Sequence, residues 1–259
     1  MTFDAAVPAA ESAAASIPEE FAAAAAQLQI PLVHPPSLTV TRINSTPLML
    51  RVENFLSPAE CAEVLRLAYT ANAPVWKPYR NITYKPTLGP SGEVLKQQFE
   101  VGYSEAATLF QMDYGHFDAI HPMIDMFAER VAKVVGTTKL YTSNMRRLLR
   151  YKPGQKFELH ADDYDRLEPL HRGRRLLTCL IYVHTEPGET GGGTVFPLLD
   201  SGSYRSPPLS GSMLVFRNFD PENDFKFDSR CQHYAETTTK GHKYAINLYI
   251  VEKEGIWWH

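Results

Sequence analysis

Arg147-Leu148-Leu149-Arg150-Tyr151-Lys152-Pro153-Gly154-Gln155-Lys156-Phe157-Glu158-Leu159-His160-Ala161-Asp162 marks the stretch where the chain changes character. Upstream, apolar residues recur near helical spacing. From Ser143 onward they fall into short runs separated by Gly- and Pro-rich turns. Arg147 to Tyr151 reads as a strand, as do Leu176 to Val183, Ser212 to Arg217 and Tyr244 to Val251. Helices first and many short antiparallel strands after predict an α+β, mainly β fold: a β-sandwich or jelly roll with N-terminal helices packed outside.

Working back from that stretch, Ser57 is the expected N-cap of a helix, with Pro58 at its first position and Glu60 completing a capping box. This helix should run to about Ala71, turning Ala62, Val64, Leu65 and Leu67-Ala68 inward. A second helix is expected over Phe117 to Val135, where Ile120, Ile124, Phe127, Val131 and Val134-Val135 keep near-helical spacing. Pro47 to Val52 reads as a short strand. Residues 74–105 carry Pro74, Pro78, Pro86, Pro90, Gly89 and Gly92, so a long loop or irregular hairpin is expected there, of the kind that often covers a site. Residues 1–30, rich in Ala, Ser, Pro and Glu, form a variable tail, helical in part over Phe21 to Leu28. Residues 31–259 then make one domain, with a core at about 143–252.

Composition narrows the class. The 259 residues suit one large domain, and a 44% hydrophobic fraction supports a sizeable core. A formal net charge of −3 provides no electrostatic footprint for nucleic acid or an anionic membrane. No apolar run reaches the roughly 18 residues that span a bilayer. The opening Met1-Thr2-Phe3-Asp4 lacks the basic start of a secretory signal. Three cysteines (Cys61, Cys179, Cys231), without metal-binding pair spacing, argue against a disulfide framework and for a reducing, cytoplasmic setting.

Residues i and i+2 of a strand project to one face, so His160 and Asp162 at a strand end can offer an imidazole and a carboxylate to one ion. Phe157, Leu159 and Tyr164 could keep the pocket partly dry. His233, from another strand, is the candidate third ligand. Two imidazoles and one carboxylate form a facial set on iron(II) that leaves positions open for other reactants. Zinc would accept the same ligands, which leaves a non-enzymatic cupin-like metal-binding domain as an alternative. The chain holds its own controls. His116-Phe117-Asp118 repeats the spacing before the second helix, where Asp118 suits a helix start. His184-Thr185-Glu186 is a near match, expected in the turn before a glycine run.

The company these residues keep resembles the prolyl 4-hydroxylase-like branch of the iron(II)/2-oxoglutarate dioxygenases. The resemblance is carried by Arg150 to Asp162, by Gly191-Gly192-Gly193-Thr194-Val195-Phe196-Pro197, by Gly211-Ser212-Met213-Leu214-Val215-Phe216, and by His233 to Lys243. Asn54 to Cys61 is similar to that family's first helix, and the whole likeness covers about residues 45–252. It implies a double-stranded β-helix, with His160, Asp162 and His233 as ligands of Fe(II) and with 2-oxoglutarate and O2 as cosubstrates. Ascorbate as a reductant is implied by the family alone.

By the same resemblance Lys243 is the cation for the distal carboxylate of 2-oxoglutarate, and Tyr151 and Thr194 donate hydrogen bonds to it. Iron(II), one carboxylate and a dicarboxylate leave one net negative charge, which a buried ammonium would balance. Lys240 and His242 compete for this role, but strand alternation puts Lys243, Ala245 and Asn247 on one face and Lys240 in the preceding turn. Tyr249 faces the expected pocket too, with Asn247, and packing is the expected role of both. The implied chemistry is hydroxylation of a substrate C–H bond with conversion of 2-oxoglutarate to succinate and carbon dioxide. The implied partner is a prolyl residue in a peptide or protein, with Arg175 at a substrate-contacting position and Trp76, Tyr79, Tyr84 and Phe99 offering aromatic faces. Tyr79-Arg80-Asn81-Ile82-Thr83 departs from the arginine-serine pattern often found in that loop, so a free amino acid or another small molecule stands as the alternative substrate.

Overall fold

The computed structural model of the protein describes residues 37–70, 77–88, 94–107, 122–136, 147–162, 175–186, 191–220 and 226–251. The N-terminal tail, Trp76, His116-Phe117-Asp118, Tyr164 and the closing Ile256-Trp257-Trp258-His259 lie outside them.

Strands β1 (Thr39–Asn44) and β2 (Met49–Glu53) precede helix α1 (Pro58–Thr70). Strands β3 (Lys77–Leu88) and β4 (Val94–Ala107) lead to helix α2 (Pro122–Val135). Then come β5 (Arg147–Tyr151), β6 (Lys156–His160), β7 (Arg175–Thr185), β8 (Thr194–Phe196), β9 (Tyr204–Ser206) and β10 (Met213–Arg217). The chain closes with β11 (Phe219–Asp220), β12 (Lys226–Phe227), β13 (His233–Ala235) and β14 (Lys243–Val251). Ladder pairing runs in the order β1-β2-β10-β7-β14-β5-β4-β6-β13-β8-β9, with β11 and β12 as a separate pair. Strand β4 joins two parts of this path: Glu105 to Ala107 pair with β5, while Gly102 and Tyr103 pair with β6.

Alternation along β7, β10 and β14 sorts their side chains between two of the three apolar clusters. Cys179, Ile181 and Val183 of β7, Met213 and Val215 of β10, and Tyr244, Ile246, Leu248 and Ile250 of β14 share a cluster with residues of the helices: Val64 and Leu65 of α1, Phe127 and Val131 of α2. Their neighbours Leu180, Tyr182, Leu214, Phe216 and Ala245 form a second cluster with Phe196 and Cys231, inside the roll. Fully burying a side chain such as Phe127 or Leu65 stabilises the fold by about 1.5–3 kcal/mol.

The capping box at α1 forms as the sequence indicates. The Glu60 N–H donates to Ser57 Oγ at 3.2 Å, and the Ser57 N–H donates to Glu60 Oε2 at 2.8 Å. Arg130 of α2 then clamps this helix start. Its Nη2 donates to Glu60 Oε1 at 2.6 Å, and its Nη1 donates to Glu60 Oε2 at 3.0 Å and to the Phe55 carbonyl at 2.6 Å. Burial works against the charge on Glu60, yet the hydrogen bonds from Arg130 and Ser57 hold its carboxyl below the usual carboxylate range.

Of the two readings of 74–105, a long loop or an irregular hairpin, the described residues form the hairpin, as a pair of long strands. Lys77 to Leu88 run antiparallel to Val94 to Ala107, with one register shift between Asn81 and Ile82. Pro78 and Pro86 were the residues that favoured the loop. Strand β3 pairs only with β4 among the described residues, and an edge strand tolerates prolines because its outer N–H groups are not in a ladder. Strand β1 was not anticipated: four of its six residues are exposed, so it lacks an alternating apolar pattern. Cys61, Cys179 and Cys231 are free and buried, consistent with the absence of a disulfide framework. No helix among the described residues is long and apolar enough to cross a membrane.

Arg130→Met removes the buried partner of Glu60 and takes the guanidinium donor from the Phe55 carbonyl. We expect a loss of about 3 kcal/mol in unfolding free energy by urea titration; a change under about 0.5 kcal/mol would show that the clamp contributes nothing.

Candidate active site

Strand pairing brings the site together. His233 opens β13 and lies directly opposite His160, the last residue of β6. Asp162 follows two residues after His160, and ligand atoms of all three lie within 4.8 Å of one another. His160 Nε2 is 3.6 Å from Asp162 Oδ1, and His233 Nε2 is 3.8 Å from Asp162 Oδ2. Among the described residues this is the one His/Cys/Asp/Glu group with metal-holding spacing. The His184-Thr185-Glu186 alternative separates from it: His184 lies in strand β7, not in a turn, and is paired with Tyr244, whose side chain belongs to the helix-facing core.

The tautomers follow from the backbone. His160 Nδ1 is 2.7 Å from the Glu158 carbonyl, and His233 Nδ1 is 3.0 Å from the Cys231 carbonyl. A carbonyl only accepts, so each Nδ1 carries the proton and each Nε2 presents a bare lone pair toward Asp162. Metal-binding histidines are commonly tied in this way. Burial and the neighbouring His233 push the His160 pKa down to about 4, which keeps the ring neutral near pH 7. Burial alone would raise the Asp162 pKa. The surrounding His233, His160 and Arg175, with the Thr178 hydroxyl, outweigh it and hold the group below the ordinary aspartate value. Phe196 stacks on the His233 ring at 5.2 Å and Phe216 meets it edge-on at 4.9 Å, so apolar walls fix the imidazole. His160 keeps 15% of its side chain exposed and lies toward the open side. Two neutral imidazoles and a carboxylate with converging lone pairs suit a divalent iron or zinc ion.

Lys243 is the second unusual group. It is 2% exposed, and its Nζ donates to the Gly192 carbonyl at 2.7 Å. The Nζ lies 4.3 Å from the centroid of the Tyr151 ring, its register partner on β5. Burial lowers its pKa to about 7, against the attraction of Glu236. Glu236 is itself committed to Arg205 at 2.8 Å and to the Gly193 N–H at 3.1 Å. Gly192 has φ +69°, and a Cβ there would meet Lys243 Cδ at 3.1 Å, so the glycine lets the backbone approach the lysine. Lys240 is exposed in the turn before β14, and His242 is turned toward Glu186 at 3.7 Å.

Thr194 is 2% exposed, and its Oγ1 accepts from the Tyr182 hydroxyl at 2.9 Å. Arg175 is buried beside the cluster, with Nη1 donating to the Asp162 carbonyl at 3.3 Å and the guanidinium 3.8 Å over the Tyr249 ring. Asn247 and Tyr249 hydrogen-bond to each other at 3.2 Å. Three residues near the site escaped the sequence: Tyr182, Thr178 and Asn218. Thr178 and Tyr182 were visible only as polar groups at alternate positions of an otherwise apolar strand, and Asn218 carried no pattern at all.

Residues 147–251 match the family model described as the 2OG-Fe(II) oxygenase superfamily. The chain is 26% identical over 229 residues to a protein named Probable prolyl 4-hydroxylase 7 of Arabidopsis thaliana, covering 82% of this chain and 65% of that one. Prolyl 4-hydroxylase 1 of the same plant is 27% identical over 222 residues, covering 82% of this chain and 71% of that one. Thus the chain spans about two thirds of the length of these relatives. The fold is similar to the viral collagen prolyl hydroxylase of Paramecium bursaria Chlorella virus-1, solved with 2OG, at a TM-score of 0.52 and 21% identity, over 78% of this chain and 94% of that one. That likeness shows a double-stranded β-helix. Over residues 147–251 the chain is thus similar to the 2OG-Fe(II) oxygenases. Within that class its likeness is to the prolyl 4-hydroxylases.

Calorimetry with Mn(II) is expected to find one site per chain. His233→Ala should lower the affinity at least about 100-fold, whereas His184→Ala should leave it within about threefold. Equal losses in both variants would move the metal site away from the cluster.

Proposed function

We propose that the protein hydroxylates a C–H bond of a prolyl residue in a peptide or protein, with Fe(II), 2-oxoglutarate and O2. In this reading His160, Asp162 and His233 hold the iron, and Lys243, Tyr151 and Thr194 hold the distal carboxylate of 2-oxoglutarate. Bound together, iron and cosubstrate supply dioxygen activation coupled to decarboxylation: one oxygen atom enters the substrate as hydroxyl and the other enters succinate, with release of carbon dioxide.

The single observation that carries this reading is Lys243. A structural metal site needs no second cation, and a lysine at 2% exposure is costly without an anion to meet it. It lies on the inward face of β14, with Ala245 two residues on in the inner core. The Tyr182 hydroxyl donates to Thr194, which frees the Thr194 proton for an incoming carboxylate. Phe157, Phe196 and Phe216 line the imidazoles and exclude water from the reacting groups. The names of the two plant relatives support proline as the target. Arg175, beside Asp162, is the proposed contact for substrate, and ascorbate the proposed reductant.

A succinate-release assay with a proline-rich peptide tests the substrate. Peptide-stimulated succinate with hydroxyproline by mass is expected; stimulation by free amino acids alone would replace the peptide. Lys243→Ala should raise the 2-oxoglutarate KM at least about tenfold, while Lys240→Ala should leave it unchanged.

The depressed lysine pKa gives a pH signature. Only the protonated ammonium binds the dianion well, and in the free protein it is lost as pH rises through about 7. The affinity of the metal-loaded protein for 2-oxoglutarate should therefore be flat below that pH. Above it the affinity should fall by up to about tenfold per unit, with proton uptake on binding. Lys243→Arg, which stays charged, should flatten the profile; an unaltered profile in that variant would assign the titration to another group.

A further inference from the structure

Behind Asp162 lies a closed ring of hydrogen bonds that the metal cluster itself does not require. Thr178 Oγ1 is 2.8 Å from Asp162 Oδ2, and Asn218 Nδ2 is 3.0 Å from Thr178 Oγ1. Asn218 Nδ2 also donates to the Arg175 carbonyl at 3.0 Å, and Arg175 Nη1 returns to the Asp162 carbonyl at 3.3 Å. Asn218 is 0% exposed and Thr178 1% exposed, so water does not compete for these groups.

The directions in this ring are forced. The Arg175 carbonyl can only accept, so the Asn218 group facing it and Thr178 is the NH2, not the oxygen. One Asn218 proton goes to the Arg175 carbonyl and the other to Thr178 Oγ1. Having accepted there, the Thr178 hydroxyl has one proton to place, and the ionised carboxylate of Asp162 takes it at Oδ2. Among the described residues no hydrogen bond is made to Oδ1, the oxygen 3.6 Å from His160 Nε2. Burial makes the arrangement consequential, because a hydrogen bond to a buried carboxylate is stronger than one in water.

We propose that Asn218 and Thr178 are positioning residues that set the denticity of Asp162: by engaging Oδ2 they leave Oδ1 as the oxygen offered to a metal. A carboxylate free of this restraint can turn both oxygens to the ion and fill a coordination position that a chelating cosubstrate needs. This deepens the proposed function and rests on the metal-holding role assigned there to His160, Asp162 and His233. The Arg175 arm of the ring holds the backbone of Asp162 while the Thr178 arm holds its side chain. Ligand position and ligand orientation are thus set by separate groups joined at one asparagine.

The test uses the whole protein loaded with Co(II), which binds without turnover. Wild type, Thr178→Val, Thr178→Ser and Asn218→Ala are compared by calorimetry, first for Co(II) and then for 2-oxoglutarate at saturating Co(II). Thermal unfolding of the metal-free proteins reports whether each variant folds. Thr178→Val keeps the shape of the side chain and removes only the hydroxyl. It is expected to weaken Co(II) by about tenfold and, separately, to weaken 2-oxoglutarate at saturating metal by at least about fivefold. Thr178→Ser is expected to restore both values, and Asn218→Ala to fall between valine and wild type.

Unchanged 2-oxoglutarate affinity in a folded Thr178→Val protein overturns the proposal, even where Co(II) affinity drops, because a merely supporting threonine would not alter the open position. Failure of serine to rescue overturns it as well. Retained Co(II) binding in His160→Ala would instead refute the metal site itself.

Discussion

The parity of β14 is the constraint on which the rest depends. This strand lies between β5 and β7, and its residues alternate between two environments that cannot be exchanged. Tyr244, Ile246, Leu248 and Ile250 face the helices, and Lys243 and Ala245 face the inside of the roll. A slip of one residue would drive Lys243 into the apolar core and bring four apolar side chains into the pocket. The hydrophobic contacts that hold α1 and α2 to the sheet therefore also determine where the buried Lys243 ammonium stands. Register shifts between Tyr244 and Ala245 and between Ile250 and Val251 adjust the pairing with β7 without changing the faces these side chains occupy.

The metal cluster is built by a different route. His160 and His233 meet because β6 and β13 pair directly at those residues, and each imidazole is anchored by the carbonyl two residues before it. Asp162 lies beyond the end of β6, so no ladder fixes it. Its place is set instead by Thr178 on β7 and by Arg175 at that strand's start. One carboxylate thus links the strand pair that carries the imidazoles to the strand that borders β14. Packing supplies dryness, with Phe196 and Phe216 around His233. Dryness in turn makes the charges matter: it depresses the His160 and Lys243 pKa values and strengthens the hydrogen bonds around Asp162.

Much of this was legible in the sequence because alternation and capping are local. Ser57, Pro58 and Glu60 announced α1, and the strands at 147–151, 175–185, 213–217 and 243–251 were read nearly to their ends. The choice of Lys243 over Lys240 followed from strand parity, whereas His184 was set aside for an expected turn and lies instead in β7. The length of strand β3 was hidden because Pro78 and Pro86 read as breakers, and its edge position makes them harmless. The ring of Asn218, Thr178 and Arg175 was hidden for another reason. It joins residues 40 and 43 positions apart through contacts that have no period. Arg130 was hidden likewise: its guanidinium reaches Glu60 across 70 residues, a pairing that no local pattern announces.

The central claim is that one interior face presents both a metal triad and a cation for a dicarboxylate. Anaerobic titration of the protein with Fe(II) and then 2-oxoglutarate measures both at once, through the weak visible charge-transfer band of the chelate. The expected result is a band that saturates at one 2-oxoglutarate per iron, is absent in Asp162→Ala, and needs far more 2-oxoglutarate in Lys243→Ala. Tight zinc binding with no band at any 2-oxoglutarate concentration would contradict it and leave a structural metal site in its place.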